Sequence, residues 1–458
     1  MSTSAPKTQW GGIADGRFAP SGFFRVGRHE GMCWLVDPDG GRFLSKGVDT
    51  VRFDQDNIKD TARSPYGEAC QRKYGGKSAW QIAVANRLAG WGFNTLGSWS
   101  DEAVASVGDT PLAMTPNLDL GMSFAWQQND RHRNEPERDF PDIFDPAFID
   151  HIERRARERC GPRSGERNVI GWYIDNELRW CPDWRGSDDL LMLFLNWPAA
   201  APGRSFALNL LRERYPAFEA FNAAWRTPAH SWDELAALPH VEPPYRRKPP
   251  YARNEVSEDE CDRADSGRAA VMADCDAFLE LAAERYFTST TAAIKAVAPH
   301  HLVLGCRFAY PPPQAVIDAA ARHVDIVSFN CYGPDANGAL AAYRSTGKPC
   351  LIGEFSFRAT DSGLPNSEGS GPVVATQAER AAGFRHYVTE ALRDPLLIGY
   401  HWFEHADQPA EGRFDGENSN FGTVTIDDRV YDELTGAMTA VNAEAETIHD
   451  AAAGPVTS

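Results

Sequence analysis

What the chain is short of narrows it first. No apolar run approaches the ~20 residues needed to cross a bilayer, so a transmembrane helix is excluded. The opening Met1-Ser-Thr-Ser-Ala-Pro-Lys7 has no apolar segment of the secretory kind, which points to a cytoplasmic protein. Nine cysteines are scattered from Cys33 to Cys350 without one C-x-x-C pair; that is the pattern of reduced thiols rather than of a disulfide frame. Basic residues are outnumbered, 46 Lys+Arg against 64 Asp+Glu, and a net charge of −18 repels a nucleic-acid partner. There is no Walker A sequence, and no G-x-G-x-x-G follows the first apolar run, which argues against nucleotide chemistry. No cofactor is expected.

What is present is globular. Hydrophobic residues make up 42% and charged residues 24% of 458 positions, so extensive disorder is excluded. That length suits two or three domains, or one large barrel with long loops. The 13 Trp, 13 Tyr and 24 Phe are enough to fill a core and also to line a sugar site.

Short apolar or β-branched runs alternate with amphipathic stretches along nearly the whole chain. Eight runs read as strands: Arg42–Phe53, Asn94–Ser100, Leu112–Pro116, Val169–Glu177, His301–Phe308, Val324–Gly333, Pro349–Phe357 and Leu397–His405. Helical patterns fall at Ser78–Ala89, Asp101–Ser106, Asp145–Cys160, Pro313–Arg322, Ala336–Ser345, Gln377–Arg393 and Tyr431–Glu446. Strict βα alternation implies a parallel sheet, and a count of eight favours a closed (β/α)8 TIM barrel over an open, doubly wound sheet. The expected organisation is a tail over 1–20, a barrel over 21–450 and a tail over 451–458. After the fourth strand a helical excursion fills 178–300, with helices near Asp188–Asn196, Arg204–Trp225 and Gly267–Ala298. Within it, Val241–Asp265 is rich in proline and charge and has no periodicity, as in a functional or a mobile loop.

Barrels of this kind place their active site at the C-terminal ends of the strands. The fourth run ends Asp175-Asn176-Glu177, and the seventh carries Gly353-Glu354-Phe355. A carboxylate closing an apolar strand is costly to bury unless it is paired or functional. Two of them on different strands can face each other across a substrate, the equipment of glycoside hydrolysis; the plainer alternative is that each pairs with a rim arginine. Tyr332, ending the sixth run, is a candidate donor to Glu354. Trp402 on the eighth is a candidate floor under a sugar, and Glu404 a candidate for a sugar hydroxyl. Arg307, Asn330, Ser98, Trp99, Asp49 and Arg52 are further candidates for substrate contact. The string His401-Trp-Phe-Glu404-His405 imitates a zinc-peptidase motif, but that motif needs a helix. On a strand its histidines stand about 13 Å apart, so no metal is assigned. Asp415-Gly416-Glu417-Asn418 lacks the alternation of a calcium loop.

An Asn-Glu ending the fourth strand and a Glu ending the seventh resemble the signature of the clan of retaining β-glycosidases with (β/α)8 barrels. More closely, the chain resembles glycoside hydrolase family 50, the β-agarase family, over residues 23–51, GFNTLGSWSDEA (92–103), GWYIDNELRW (171–180), LIGEF (351–355) and HWFEHADQPAEGRFDGENSNFG (401–422). The resemblance implies Glu177 as general acid/base, Glu354 as nucleophile and Asn176 as a ligand of the sugar 2-hydroxyl. It implies a retaining β-glycosidase hydrolysing β-galactosidic linkages in agaro-oligosaccharides or related galactans. The alternatives are the same chemistry on another β-glycan, because loops choose the sugar, or a sugar-binding barrel without turnover. Family 50 agarases are usually secreted and carry a large N-terminal domain, whereas this chain begins almost at the barrel. Trp180, Trp184, Trp197, Trp225 and Trp232 of the excursion could then wall off one end of a cleft, so exo action on an oligosaccharide is expected. A homo-oligomer is compatible with all of this.

Overall fold

The computed structural model describes residues 6–131, 140–247 and 266–453. Ahead of the expected alternation stands an antiparallel layer that the strand reading did not separate out. Strands β1 (Arg25–His29) and β2 (Met32–Val36) form a hairpin, with Gly27 opposite Trp34. Its turn is Glu30-Gly31, both at positive φ. β3 (Arg42–Phe43) pairs with β2. The run expected as one strand over Arg42–Phe53 is therefore two, because Arg42–Phe43 joins this layer and β4 (Ser45–Val48) starts the parallel sheet. Residues 6–20, expected as a tail, are tied to the same layer. Ile13 bridges to Arg42, and Trp10 is buried edge-on against Phe24.

The remaining strands follow in order: β5 (Thr95–Leu96), β6 (Ala113–Met114), β7 (Gly171–Trp172), β8 (Leu302–Val303), β9 (Val327–Asn330), β10 (Cys350–Phe355), β11 (Arg358–Ala359), β12 (Val373–Val374) and β13 (Leu397–Trp402). The fold is mixed α/β around a parallel sheet of six strands, ordered β6-β5-β4-β13-β10-β9. β7 and β8 form a separate parallel pair, and β11–β12 a small one. Single parallel bridges Met114↔Val169 and Asn117↔Tyr173 join β7's run to β6's, and Phe308↔Phe329 joins β8's run to β9. The pair thus touches both outer strands of the six.

Alternation along the strands decides which side chains meet. On β4 the Ser45 hydroxyl lies on the His401 ring, and a Cβ at Gly47 would stand 2.3 Å from that ring. Ser45, Gly47 and His401 therefore share one face. Their neighbours turn to the helices: Lys46 reaches Glu446 and the Asn442 carbonyl, while Tyr400 donates to the Asn442 side chain.

The helix expected over Asp145–Cys160 is Pro146–Arg159, with the Asp145 carboxylate accepting from Ala147 N–H at 2.9 Å. Arg204–Trp225, expected as one helix, is two, Pro202–Arg214 and Phe218–Trp225. Pro216 forces the break, since the residue before a proline is driven out of the helical region and Tyr215 sits at φ −119°, ψ 125°. The excursion also holds Leu190–Leu195 and Trp232–Ala237, and closes with the 32-residue helix Ser266–Val297. Of the loop expected over Val241–Asp265, residues 248–265 lie outside the described residues.

The helix Asp432–Ala451 is bound to the sheet by an ion pair, Lys46 Nζ to Glu446 Oε1 at 2.7 Å, with both side chains almost wholly buried. Burial lowers the lysine's pKa and the glutamate resists it. Glu446→Ala leaves the ammonium without its partner and is expected to cost about 3–5 kcal/mol, whereas replacing both residues by apolar ones of similar volume costs far less. Urea unfolding of the single and double variants checks this; a single-variant loss below about 1 kcal/mol would place the pair among ordinary surface bridges.

Candidate active site

The site forms where the strands β4, β5, β7, β8, β9 and β10 end. The chain leaves β7 through Tyr173, Ile174 and Asp175, then turns at Glu177, whose φ of 53° lies in the left-handed region. For a non-glycine residue that conformation costs about 1–3 kcal/mol and persists only where surrounding contacts impose it. Here Glu177 N–H donates to the Cys306 and Arg307 carbonyls at 3.1 and 3.3 Å, which pins the turn to the run after β8. Asp175, two residues earlier, accepts from Gly121 and Met122 N–H and from the Tyr286 hydroxyl.

Arg307 lies at the centre and is fully buried. Its Nη2 donates to Glu354 Oε1 at 2.6 Å and to Asp49 Oδ2 at 2.9 Å, its Nε donates to Asn176 Oδ1 at 2.9 Å, and its Nη1 bonds Ser98 Oγ. Trp99 and Tyr173 place ring faces against the guanidinium, each 4.8 Å from ring centroid to Cζ. The other oxygen of Glu354 accepts from the Tyr332 hydroxyl at 2.6 Å. Glu177 takes a different partner, Asn330 Nδ2 at 2.8 Å, which also lies 3.3 Å from Asn176 Oδ1.

The two glutamates therefore sit in one network with unlike surroundings. Glu354 is met by a guanidinium and a phenol. Glu177 is met by one amide, and burial followed by the charge of Glu354 pushes its carboxyl up to about 7. The Tyr332 phenol is held well above its ordinary value by burial and by Glu354, so it remains a donor.

The structure brings Asn176, Glu177, Ser98, Trp99, Arg307, Asn330, Tyr332 and Glu354 together. It corrects other expectations. Trp402 is no open floor: alternation puts His401 on the inner face, so Trp402 turns to the helix Gln377–Ala391. There it meets Phe384 and lies under Arg380, and its Nε1 donates to the Phe421 carbonyl. Asp49 is fully buried behind Arg307 and meets no open space. Glu404 is also fully buried, bonded by Gln408 at 3.0 Å and 3.8 Å from Arg413. Burial, with the charges of Asp56 and Glu417 against that of Arg413, drives its carboxyl well above the usual range. Arg52 is exposed, 3.4 Å from Asp54 and outside the network. Among the excursion tryptophans Trp180, Trp197 and Trp225 are core, and Trp184 alone is open, at 51% exposure. His401 and His405 meet Ser45 and Tyr66, and Asp415 and Glu417 pair with Arg413.

Arg185 was missed. It donates to the Glu177 carbonyl at 2.6 Å, grips Asp183 and lies 4.7 Å from the Trp184 ring. Nothing in its local sequence separates it from other loop arginines. A cavity of about 770 Å3 beside Asn168, where the run to Glu177 begins, shares no residue with this network.

A parallel α/β fold that gathers carboxylates at its strand ends is of the kind found in glycosidases. A solved structure described as an agarase, AgWH50C, shares the fold at a TM-score of 0.75 and 26% identity, covering 97% of this chain and 68% of that one. Beta-agarase B of Vibrio sp. (strain JT0107) is 28% identical over 94% of this chain and 49% of its own length. Beta-agarase A of the same strain is 29% identical over 92% and 46%. The chain thus spans about half the length of the curated relatives it matches. No family model matches it. The resemblance read from the sequence holds: the chain is β-agarase-like, similar to proteins named β-agarases and to a solved agarase.

Because Glu354's charge helps lift Glu177, Glu354→Gln should make the Glu177 carboxyl titrate at lower pH than its present value near 7. Carboxyl carbon NMR of glutamate-labelled protein measures it. An unmoved midpoint would mean that the two groups do not sense each other.

Proposed function

We propose that the chain is a retaining, exo-acting β-glycosidase that hydrolyses β-galactosidic linkages in agaro-oligosaccharides or related galactans, on a closed (β/α)8 barrel. The observation that carries the chemistry is the unlike treatment of the two glutamates. One is clamped by Arg307 and Tyr332, and the other is lifted to about 7 beside a single amide. Pairs of carboxyls whose surroundings push them apart divide acid and nucleophile roles. The barrel reading is supported by the parallel bridges at both edges of the β7–β8 pair. The substrate class is supported by the similarity to proteins named β-agarases. A cytoplasmic site is favoured by cysteines that are all free among the described residues. Among these residues no helix is long and apolar enough to cross a membrane.

In this reading Glu354 attacks the anomeric carbon while Glu177, protonated, gives its proton to the leaving oxygen; Glu177 then takes a proton from the water that releases the sugar. Asn176 has its carbonyl oxygen occupied by Arg307 and Asn330, which leaves its NH2 for a hydroxyl of the bound sugar. Trp184, with Arg185 4.7 Å from its ring and Tyr310 edge-on at 6.0 Å, is an exposed aromatic in the loop that follows Glu177. That is where the leaving part of an oligosaccharide would lie.

Glu354→Ala should abolish turnover, since no covalent intermediate can form. Glu177→Ala should keep activity on aryl glycosides whose leaving groups need no proton, and azide should restore more. In the wild type kcat/KM should decline as pH rises through about 7, where Glu177 loses its proton; in Glu177→Ala that decline should disappear. NMR of the first-formed anomer reads the stereochemistry, and inversion would end the double-displacement reading. Early release of a spread of intermediate-length products from polymer would end the exo reading.

A further inference from the structure

Arg307 Nη2 carries two hydrogens, and the structure uses both. One points to Glu354 Oε1 at 2.6 Å and the other to Asp49 Oδ2 at 2.9 Å. We propose that Asp49 is a positioning residue for the nucleophile, acting through Arg307: it fixes the turn of the guanidinium so that the remaining Nη2 hydrogen is aimed at Glu354. This rests on the glycosidase reading above and assigns Asp49 a part in it without contact to the sugar.

The surroundings of Asp49 are built for that task. Its Oδ1 accepts from Ser98 N–H at 2.8 Å, so the carboxylate plane is set by backbone as well as by Arg307. A Cβ on Gly97 would stand 1.8 Å from that same oxygen, so the absent side chain at 97 is what gives the carboxylate its place. On the far side of the guanidinium, a Cβ on Gly353 would lie 3.3 Å from Arg307 Cζ and 2.8 Å from Asn330 Oδ1. Two glycines thus clear the space in which the Asp49–Arg307–Glu354 chain is laid.

The charged and titratable groups facing Asp49 are few. They are Arg307 and Glu354 on the site side, the Tyr173 phenol, and His401, whose Nδ1 is 3.9 Å away. Burial lowers the His401 pKa to about 3, so the ring is neutral and does not compete for the carboxylate. Burial likewise lifts Asp49, to about 7, against the pull of Arg307. A carboxylate held in such a place is either an expensive accident or the fixed end of a lever.

The test uses Asp49→Asn and Gly97→Ala, the first removing the charge and the second displacing the carboxylate with its charge kept. In both, kcat should fall by ~100-fold, the scale of a misplacement of about 1 Å at a reacting group, while KM moves less than about threefold. A second readout does not need a substrate. In the wild type the Arg307 guanidinium hydrogens, assigned by comparison with Arg307→Lys, should give slowly exchanging signals in nitrogen–proton NMR, and in both variants these should broaden or vanish. Unchanged signals with unchanged kcat would overturn the proposal. So would a rise in KM alone, which would mean that Asp49 touches the sugar. If the wild type cleaves no glycoside while the guanidinium signals still depend on Asp49, the positioning stands and the proposed reaction falls. Either variant that folds suffices, and thermal unfolding separates loss of fold from loss of positioning.

Discussion

The site depends on one buried guanidinium. Removing Arg307 from water carries a desolvation cost of several kcal/mol, and the structure offsets it with four hydrogen-bond partners and two ring faces. Those partners come from the ends of β4, β5, β7 and β10, so the cation joins β7 and β10 to the adjacent pair β4–β5. Arg307 thereby becomes a structural keystone as well as an electrostatic one. The group that fixes Glu354 is the same group that fixes Asn176, the neighbour of Glu177.

The strand ends obey a second constraint. Thr50, Trp99, Glu177 and Arg307 all sit at positive φ, between 48° and 59°. Each turns the chain sharply just past its strand and throws a side chain or backbone group into the shared space. Such conformations need outside support, and it is visible: Thr50 N–H donates to the Ser98 carbonyl, and Arg307 N–H to the Ser328 hydroxyl. Strain and network are mutually dependent, since each hydrogen bond requires the turn and each turn requires the bonds.

Much of this was legible. The carboxylates ending the fourth and seventh runs, Tyr332 beside Glu354, and Asn176 and Arg307 among the candidates all meet in one network. The alternation of strands and helices gave the parallel sheet. What failed did so for identifiable reasons. Trp402 was placed by being aromatic and near a strand end, but period two turns it away while His401 faces inward. Asp49 and Glu404 are polar residues near strand ends, a position that suggests sugar contact, but sequence carries no signal for the depth at which they are sealed. The β1–β2 hairpin announces itself only by its Glu30-Gly31 turn, and an antiparallel cap has no place in a βα period. Arg185 lies in an irregular loop, where no period exists to read.

The two glutamates also differ in what holds them, and this bears on the long excursion. Glu354 is secured by Arg307, just past β8, and by Tyr332, just past β9. Glu177 is secured from the excursion side. Arg185 binds its carbonyl, and Tyr286 on the helix Ser266–Val297 binds Asp175, two residues before it. Trp180, three residues after it, stacks on Phe287 at 5.5 Å and meets the edge of Tyr286. The helices of the excursion pack on one another through Phe194, Phe206 and Phe278 and together against Phe144, ahead of Pro146–Arg159, so this support is well packed. The exposed Trp184 belongs to the same segment as Arg185, so the hold on Glu177 and this exposed ring come from one piece of chain.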